Sequence, residues 1–346
     1  MTYRIADHLS RRVRNTPLLG TRLNPSTPYS LLPFALGVLL LALISLPAAA
    51  LAQTLTDQDG ATITFDAPFS RIISLYPAHT ENLFSLGLDA QVIGVSSNDD
   101  YPEAARAKAK FDYREDPERI IAAKPDLVII RPMISRSSPD LLAKLKLARI
   151  TVVSLQPNTV DETFAYWQAL GKLSGREQGA AGMIAQFSQR LEAIKTVVKT
   201  IPESNRKRVY FEAIHGKVKT FAPESIAIFA LTTAGGINVA ADADQVRETN
   251  IAEYGTEHLL SKAAEIDVFL AQQGRMNKVT EQAIVQEPGF SAIKAVKEGK
   301  VFLIDEHLVS RPTLRMIDGI ISIGRALYPE QFNQAFPAAG PGNPTQ

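Results

Sequence analysis

Short apolar runs recur along this chain, each followed by a polar or proline-containing loop and then by a stretch of helical periodicity. The clearest unit is Asp116 to Arg131, DPERIIAAKPDLVIIR. Asp116 followed by Pro117 has the chemistry of a helix start. Glu118 places an acid in the first turn, where the helix dipole favours it. Ile120, Ile121 and Ala122 give the short helix an apolar side, and Lys124-Pro125 ends it, because a residue before proline avoids the helical region. Asp126 then leads into Leu127-Val128-Ile129-Ile130, an unbroken apolar run of the kind buried in a parallel sheet. A weaker copy follows about 140 residues on: Thr256 as cap, Glu257, Leu259-Leu260, Asp267 and Val268-Phe269-Leu270. Two such units predict two α/β lobes, each with one glutamate at the start of a helix.

The remaining pattern fills in these lobes. Alternation at Thr62-Ile63-Thr64-Phe65 around Asp59-Gly60 predicts a hairpin over residues 54–66. Arg71 to Leu75 reads as the first core strand, Tyr76-Pro77-Ala78-His79 as the loop at its end, and Thr80-Glu81 as the cap of a helix through Leu86. Gln91 to Val95 is a strand, Pro139 to Leu147 a helix and Thr151 to Leu155 a strand. Alternating strand and helix predicts a parallel sheet with helices on both faces. From 161 to 200 no strand intervenes. Phe164, Trp167 and Leu170 share one helical face, and Phe187, Leu191, Ile194 and Val198 another, with Ser174-Gly175 a break. Forty helical residues are too many for a crossover and predict a connector. Lys207 to Glu212 opens the second lobe, Ala234 to Asn238 is a turn after a helix, Lys300 to Ile304 is a late strand, and Pro312 to Tyr328 is the last helix. The fold class is α/β: two Rossmann-like lobes with mainly parallel sheets, over 70–160 and 206–330, joined by a long connecting helix within 161–200.

Composition refines this picture at the ends. The chain is 346 residues long, 45% hydrophobic and 21% charged, which is ordinary for a globular protein with room for two domains. Its net charge of +1 is uneven: residues 1–52 carry five arginines and one acid, so the body carries −3. That argues against nucleic acid as a partner. There is no cysteine, which excludes disulfides, thiolate metal sites, a cysteine nucleophile and a lipid-modified N-terminal cysteine. Leu31 to Leu46 is an uncharged apolar run preceded by arginines and followed by small residues, with Ala50-x-Ala52 as a cleavage site. This is the pattern of a secretory signal peptide over residues 1–52, leaving Gln53 as the first mature residue of an exported protein. The alternative is an uncleaved membrane anchor, for which the run is short against the ~20 residues a span needs. The tail after Pro337 is rich in proline and glycine and reads as loose.

Ligands of open α/β sheets bind beyond the carboxyl ends of the strands. Three of the five histidines fall there: His79, His215 and His307. Each is a candidate ligand contact and metal ligand, although loops attract polar residues in any case. His8 precedes the signal, and His258, beside Glu257, reads as surface. Arginines recur in the same loops, at Arg114, Arg131, Arg136, Arg247 and Arg311, and their planar forks suit carboxylate and catecholate oxygens. Of these, Arg131, Arg247 and Arg311 are the ligand-binding candidates, with Tyr76, Tyr113 and Met133 as apolar walls. No G-x-S-x-G elbow, H-E-x-x-H or phosphate loop is present, so the chain is not expected to be an enzyme.

In order and spacing, Arg71 to Glu81, Val92 to Val95 with Asp100-Tyr101-Pro102, Pro117 to Ile120, Lys124 to Val128, Ala234 to Asn238 and the last helix resemble the class III periplasmic substrate-binding proteins of ABC importers. The likeness covers roughly residues 70 to 330. It implies two α/β lobes on one long, rather rigid helix, with a ligand held between them and little hinge motion. It implies a small-molecule metal chelate as cargo (ferric siderophore, haem or cobalamin) and no intrinsic cofactor. It also implies an inner-membrane ABC permease dimer with its ATPase subunits as partner, docked through Glu118 and Glu257. Arginine and histidine at the strand ends favour an anionic iron complex over a corrinoid, whose binders use a mainly aromatic pocket. The single tryptophan here lies in the connector. A chelatase-like enzyme on a related two-lobed fold and a membrane-tethered sensor domain are the readings from other classes.

Overall fold

A computed structural model of the protein describes residues 52–247 and 249–337. The signal peptide, its alternative as an anchor, and the tail after Pro337 lie outside the described residues. The body opens with an antiparallel hairpin, β1 (Gln53–Thr56) and β2 (Thr62–Phe65), over the predicted span. Its turn is organised by the Asp57 carboxylate, which accepts the backbone N–H groups of Asp59 and Ala61 at 3.0 and 2.8 Å.

The first lobe runs β3 (Ile72–Ser74), α1 (Pro77–Ser85), β4 (Val92–Ser96), α2 (Glu103–Arg106), β5 (Ala109–Phe111), α3 (Glu118–Ala122), β6 (Leu127–Ile130), α4 (Pro132–Ser137), α5 (Pro139–Leu147) and β7 (Thr151–Ser154). Its sheet is parallel throughout, in the order β5-β4-β3-β6-β7. Every residue of β3 and β6 is buried, as their unbroken apolar runs require. Asp126 sets the register of these two strands: its carboxylate accepts the N–H groups of Ser70 and Arg71, each at 2.8 Å. The second lobe repeats the device, with Asp267 accepting the N–H of Arg208 at 2.9 Å.

The connector is α6 (Val160–Ser174) and α7 (Glu177–Lys199). The 23 residues of α7 make it the long helix, about 35 Å end to end. Gly175 separates the two at φ +66°, where an added Cβ would lie 2.8 Å from Pro68. Any other residue there is strained twice, by backbone and by contact. Phe164, Trp167 and Phe187 pack edge to face or tilted between the two helices, with ring centroids 5.5–5.9 Å apart.

The second lobe follows as β8 (Arg208–Ile214), β9 (Lys219–Phe221), α8 (Ile226–Thr233), β10 (Ile237–Asn238), β11 (Asp244–Gln245), β12 (Ile251–Glu253), α9 (Thr256–Ser261), β13 (Val268–Gln273), α10 (Glu281–Gln286), α11 (Lys294–Lys297), β14 (Val301–Asp305), α12 (Glu306–Val309), α13 (Met316–Leu327) and α14 (Pro329–Ala335). Its order is β11-β12-β9-β8-β13-β14, with β10 beside β8. The sheet is mixed: β8, β13 and β14 are parallel, while β9 and β11 run antiparallel to their neighbours.

Several local expectations are corrected. The helix after β3 begins at Pro77, not at Thr80, so Thr80 and Glu81 are buried inside it. β5 is an additional strand, one that three residues with lysine at the centre do not announce. Gly255, not Thr256, precedes α9. The helix expected over 312–328 starts at Met316 and stops at Leu327, with Pro312 and Arg315 before it bonded to Asn82, Trp167 and Glu81, and it is not the last, since α14 follows.

One hydrophobic core passes through both lobes and the connector, including Ile72, Trp167, Phe187, Phe211 and Ile320. Buried polar groups reinforce it at one place. The Pro312 carbonyl accepts from Asn82 Nδ2 at 2.9 Å and from Trp167 Nε1 at 3.2 Å. Arg315 forks onto the carboxylate of Glu81 at 2.7 and 2.6 Å, and Glu81 is 3% exposed. Removing one member of such a pair strands the other charge. Glu81→Ala is therefore expected to destabilise the protein by about 3–5 kcal/mol in urea unfolding, and Glu81→Leu combined with Arg315→Met to recover most of that loss. A double variant no more stable than the single one would show that the junction is held by packing alone.

Candidate functional site

Four of the five parallel strands of the first lobe, β3 to β6, deliver their carboxyl ends to one place. A cavity of about 130 Å³ lies there, lined by Tyr76 after β3, Ser96 at the end of β4 and Asn98 after it, Asp112, Tyr113 and Arg114 after β5, and Arg131 and Met133 after β6. β3 is the switch point of the sheet, since β4 lies on one side of it and β6 on the other, and such a crevice is where open α/β sheets hold ligands. Four of the residues singled out from sequence thus share one cavity: Tyr76, Tyr113, Arg131 and Met133. The backbone explains Arg131. It is the extended residue between β6 and α4, with Pro132 at the helix start, so its side chain leaves the sheet at the strand end.

Two guanidinium groups lie over aromatic rings here, Arg131 over Tyr76 at 4.8 Å and Arg114 over Tyr113 at 4.7 Å. Among the described residues neither has a carboxylate within ion-pair distance, so their forked donors remain for another anion. The Tyr113 hydroxyl and the Met133 sulfur are 3.9 Å apart. Burial pushes the Tyr76 phenol up, opposed by the nearby charges of Arg131 and Arg311 and assisted by Glu306. Arg311 and Glu306 of the second lobe thus lie near enough to act on the charge of Tyr76, although neither lines the cavity. Arg311 is 7% exposed, and its Nη1 has no hydrogen-bond partner among the described residues; the nearest carboxylate, Asp100, is 3.8 Å away.

The histidines require correction. His79 is inaccessible, and both its nitrogens are committed. Nε2 donates to the Ile130 carbonyl at 3.0 Å, so Nδ1 accepts from the Tyr166 hydroxyl at 2.7 Å. Burial, first of all, lowers its pKa to about 3. It ties α1 to β6 and α6 and offers nothing to a ligand or a metal. His215 has Glu212 Oε2 3.0 Å from Nδ1 and Glu287 Oε2 3.5 Å from Nε2. The hydrogen bond to Glu212 raises its pKa against the opposing effect of burial, and an imidazolium is no metal ligand. His307 alone keeps a ring nitrogen, Nε2, without a partner among the described residues. Arg247 is not brought to the cavity: it sits exposed at φ +49° in the turn between β11 and β12, on the outer edge of the second sheet. Among the described residues no group of three His, Asp or Glu side chains is placed to hold a metal ion.

Residues that sequence reasoning missed are those whose partners are distant in sequence. Arg275 donates to Asn98 Oδ1 across 177 positions, and Met276 beside it is 52% exposed. Glu306 accepts the Met276 N–H at 2.9 Å. A larger groove of about 580 Å³ lies between the connector helices and α8, lined by Phe164, Leu191, Glu192, Lys195, Ser225 and Phe229 among others. None of the loops after β3 to β6 contributes to it, so the strand-end cavity is the better candidate.

Comparison with known proteins agrees with this geometry. The model of a family described as periplasmic binding protein matches residues 72–308. An uncharacterized ABC transporter substrate-binding lipoprotein, YvrC, of Bacillus subtilis is 28% identical over 284 residues, 81% of this chain and 87% of that one. A vitamin B12-binding protein of Vibrio cholerae is 28% identical over 256 residues, 73% of this chain and 87% of its own. Among solved structures, a possible iron-binding periplasmic solute-binding protein of Staphylococcus epidermidis superposes with a TM-score of 0.65 at 25% identity, covering 76% of this chain and 100% of that one. The vitamin B12-binding protein BtuF of Vibrio cholerae gives 0.60 at 25%, covering 76% and 98%.

The histidine assignments are open to measurement. In a nitrogen-detected NMR titration, His79 is expected to remain the neutral Nε2–H tautomer down to pH 5, and His215 to titrate above its usual 6.5. The signs follow from linkage. Between 6.5 and about 3 the unfolded chain protonates His79 and the folded chain does not, so stability is lost as pH falls through that range, by up to about 1.4 kcal/mol per unit. His215 contributes most below its unfolded value and loses that contribution as pH rises through its folded one. A His79 that titrates near 6.5 would contradict its burial.

Proposed function

We propose that this chain, which belongs to the family of periplasmic binding proteins, is the capture component of an ABC importer whose cargo is a metal chelate with anionic oxygens on its periphery. A ferric siderophore or haem fits that description. The observation that carries the reading is the pair Arg131 on Tyr76 and Arg114 on Tyr113. Each ring gives an apolar face for a flat ligand, and each guanidinium gives charge-assisted donors, about twice as strong as neutral ones. The cargo is recognised by its periphery, with its metal already coordinated. His79 and His215 are committed elsewhere.

Relatives named as vitamin B12-binding proteins favour a second reading, a corrinoid cargo. The enzyme alternative is set aside on family membership. Among the described residues no helix is long and apolar enough to cross a membrane.

Absorption titrations with haemin, ferric tricatecholate and cyanocobalamin distinguish the two cargo readings. The expected result is binding of one of the first two with its free spectrum little changed, weakened about tenfold or more by Arg131→Ala. Binding of cyanocobalamin alone would select the corrinoid.

Glu118 and Glu257 support docking to a two-fold permease. Both are exposed, in the first turns of α3 and α9. α3 follows β5, and α9 follows β12, which runs in the direction of β8, so both helices start on the carboxyl-end side of their sheets. Asp116 Oδ1 already accepts the Glu118 N–H at 3.2 Å, and neither glutamate side chain has a hydrogen-bonding partner among the described residues. Glu118→Arg with Glu257→Arg is expected to leave cargo affinity in solution within about twofold, since exposed charges far from a site contribute little, and to abolish stimulation of the transporter's ATPase in liposomes. Undiminished stimulation would remove the docking role.

A further inference from the structure

The junction between the lobes is graded in strength along a single loop. Residues 98–101, which follow β4, meet three arginines of the second lobe. Arg275 donates to Asn98 Oδ1, Arg311 stands 3.8 Å from Asp100, and the Arg315 guanidinium lies 3.6 Å from the ring centre of Tyr101. At the Arg315 end the contact is buried, bidentate to Glu81 and backed by two hydrogen bonds to Pro312. In the middle, Asp100 and Arg311 approach without a hydrogen bond. At the far end, Asn98 and Arg275 are both exposed and share one bond between a charged and a neutral group. Asn98 lines the Tyr76 cavity, so the weakest contact stands at the cavity's rim.

Neither side of that rim is a loose loop. On the first lobe, the buried Asp99 carboxylate bonds the hydroxyls of Ser96 and Thr80. Lys110 and Arg106 donate to the carbonyls of Asp99 and Asp100 at 2.8 and 2.9 Å. On the second, the Gly274 N–H donates to the Asn277 carbonyl at 3.0 Å, and Glu306 holds the Met276 N–H. Gly274 lacks the Cβ that would lie 2.3 Å from the Glu306 carboxyl carbon. Each loop's backbone is fixed to its own lobe, so drawing the two loops apart takes a movement of the lobes, pivoting where the junction is strongest. Such movement is required. The cavity is about 130 Å³, against the ~300–1,000 Å³ of ordinary ligand pockets, and a metal chelate belongs to the larger class.

We propose that the Asn98–Arg275 bridge is a gate over the Tyr76 cavity, opened by a small rotation of the lobes about the Glu81–Arg315 junction. The gate rests on that cavity being the cargo site, but its test needs no cargo, so the two ideas fail separately. The chain has no cysteine, so one introduced thiol reports alone. Met133→Cys places it in the cavity, and Leu147→Cys, at a position 84% exposed, serves as control. Labelling by fluorescein maleimide is followed under native conditions, with circular dichroism confirming the fold of each variant. Adding Arg275→Ala, or Asn98→Ala from the other side, should accelerate labelling of the cavity thiol roughly tenfold, as loss of one charge-assisted bond predicts, and leave the control thiol unchanged. Arg275→Lys should fall between. Cavity-thiol rates that ignore both alanine substitutions would overturn the gate, as would equal acceleration at the control position.

Discussion

A buried ion pair between residues 234 positions apart, Glu81 and Arg315, ties the two lobes of this protein together. Burying two charges is costly, and the cost is offset only when geometry is good and remaining hydrogen-bonding capacity is filled. Here the fork is bidentate, and the neighbouring Pro312 carbonyl takes two further donors. The same network reaches back through Asn82, Tyr166 and His79 to the Ile130 carbonyl on β6. Strand, connector and second lobe are thereby joined by a polar chain inside a shared apolar core. Such a junction fixes the lobes to each other at one end and leaves Arg311 3.8 Å from Asp100 on the loop after β4.

The cavity illustrates how a parallel sheet concentrates chemistry. Four neighbouring strands end together, and residues just beyond each line one cavity. No single loop carries a motif. The site is assembled from Tyr76, Asn98, Tyr113 and Arg131, one from each strand end, and the cation–aromatic pairs form between successive loops as readily as within them. A binding protein needs little more than this: apolar faces to exclude water, donors to orient an anion, and a second lobe to complete the enclosure.

Histidines at strand ends look alike in sequence but have three different fates. His79 lies on a helix that starts three residues earlier than its sequence suggests, and that shift turns it from a loop residue into a core residue. His215 is captured by a glutamate three residues before it, on the strand it follows, and by another far ahead. His307 retains one open nitrogen. Only the helix start at Pro77 had a local signal, a proline at the first helical position, which competes with the Thr80-Glu81 cap for the same reading.

Features that depend on neighbours along the chain can be read from the residues alone. Unbroken apolar runs such as Leu127–Ile130 must be buried strands. Helical periodicity from 161 to 200 must form a connector, broken at Gly175, and Asp126 and Asp267 recur because each lobe repeats one unit. Tyr76, Arg131 and Met133 follow strands that apolar runs reveal, whereas Tyr113 follows β5, whose three residues carry no such run. Which polar residues meet emerges in the folded molecule and nowhere earlier: Glu81 with Arg315, Asn98 with Arg275, His79 with Tyr166, and Arg247 with none of the cavity residues. The antiparallel edge of the second sheet is of the same kind, since strands of two or three residues carry too little pattern to be read. One cause underlies all of these. Apolar burial is non-directional and leaves its period in the sequence, whereas a hydrogen bond or ion pair depends on the distance between two groups whose separation along the chain says nothing of their separation in space.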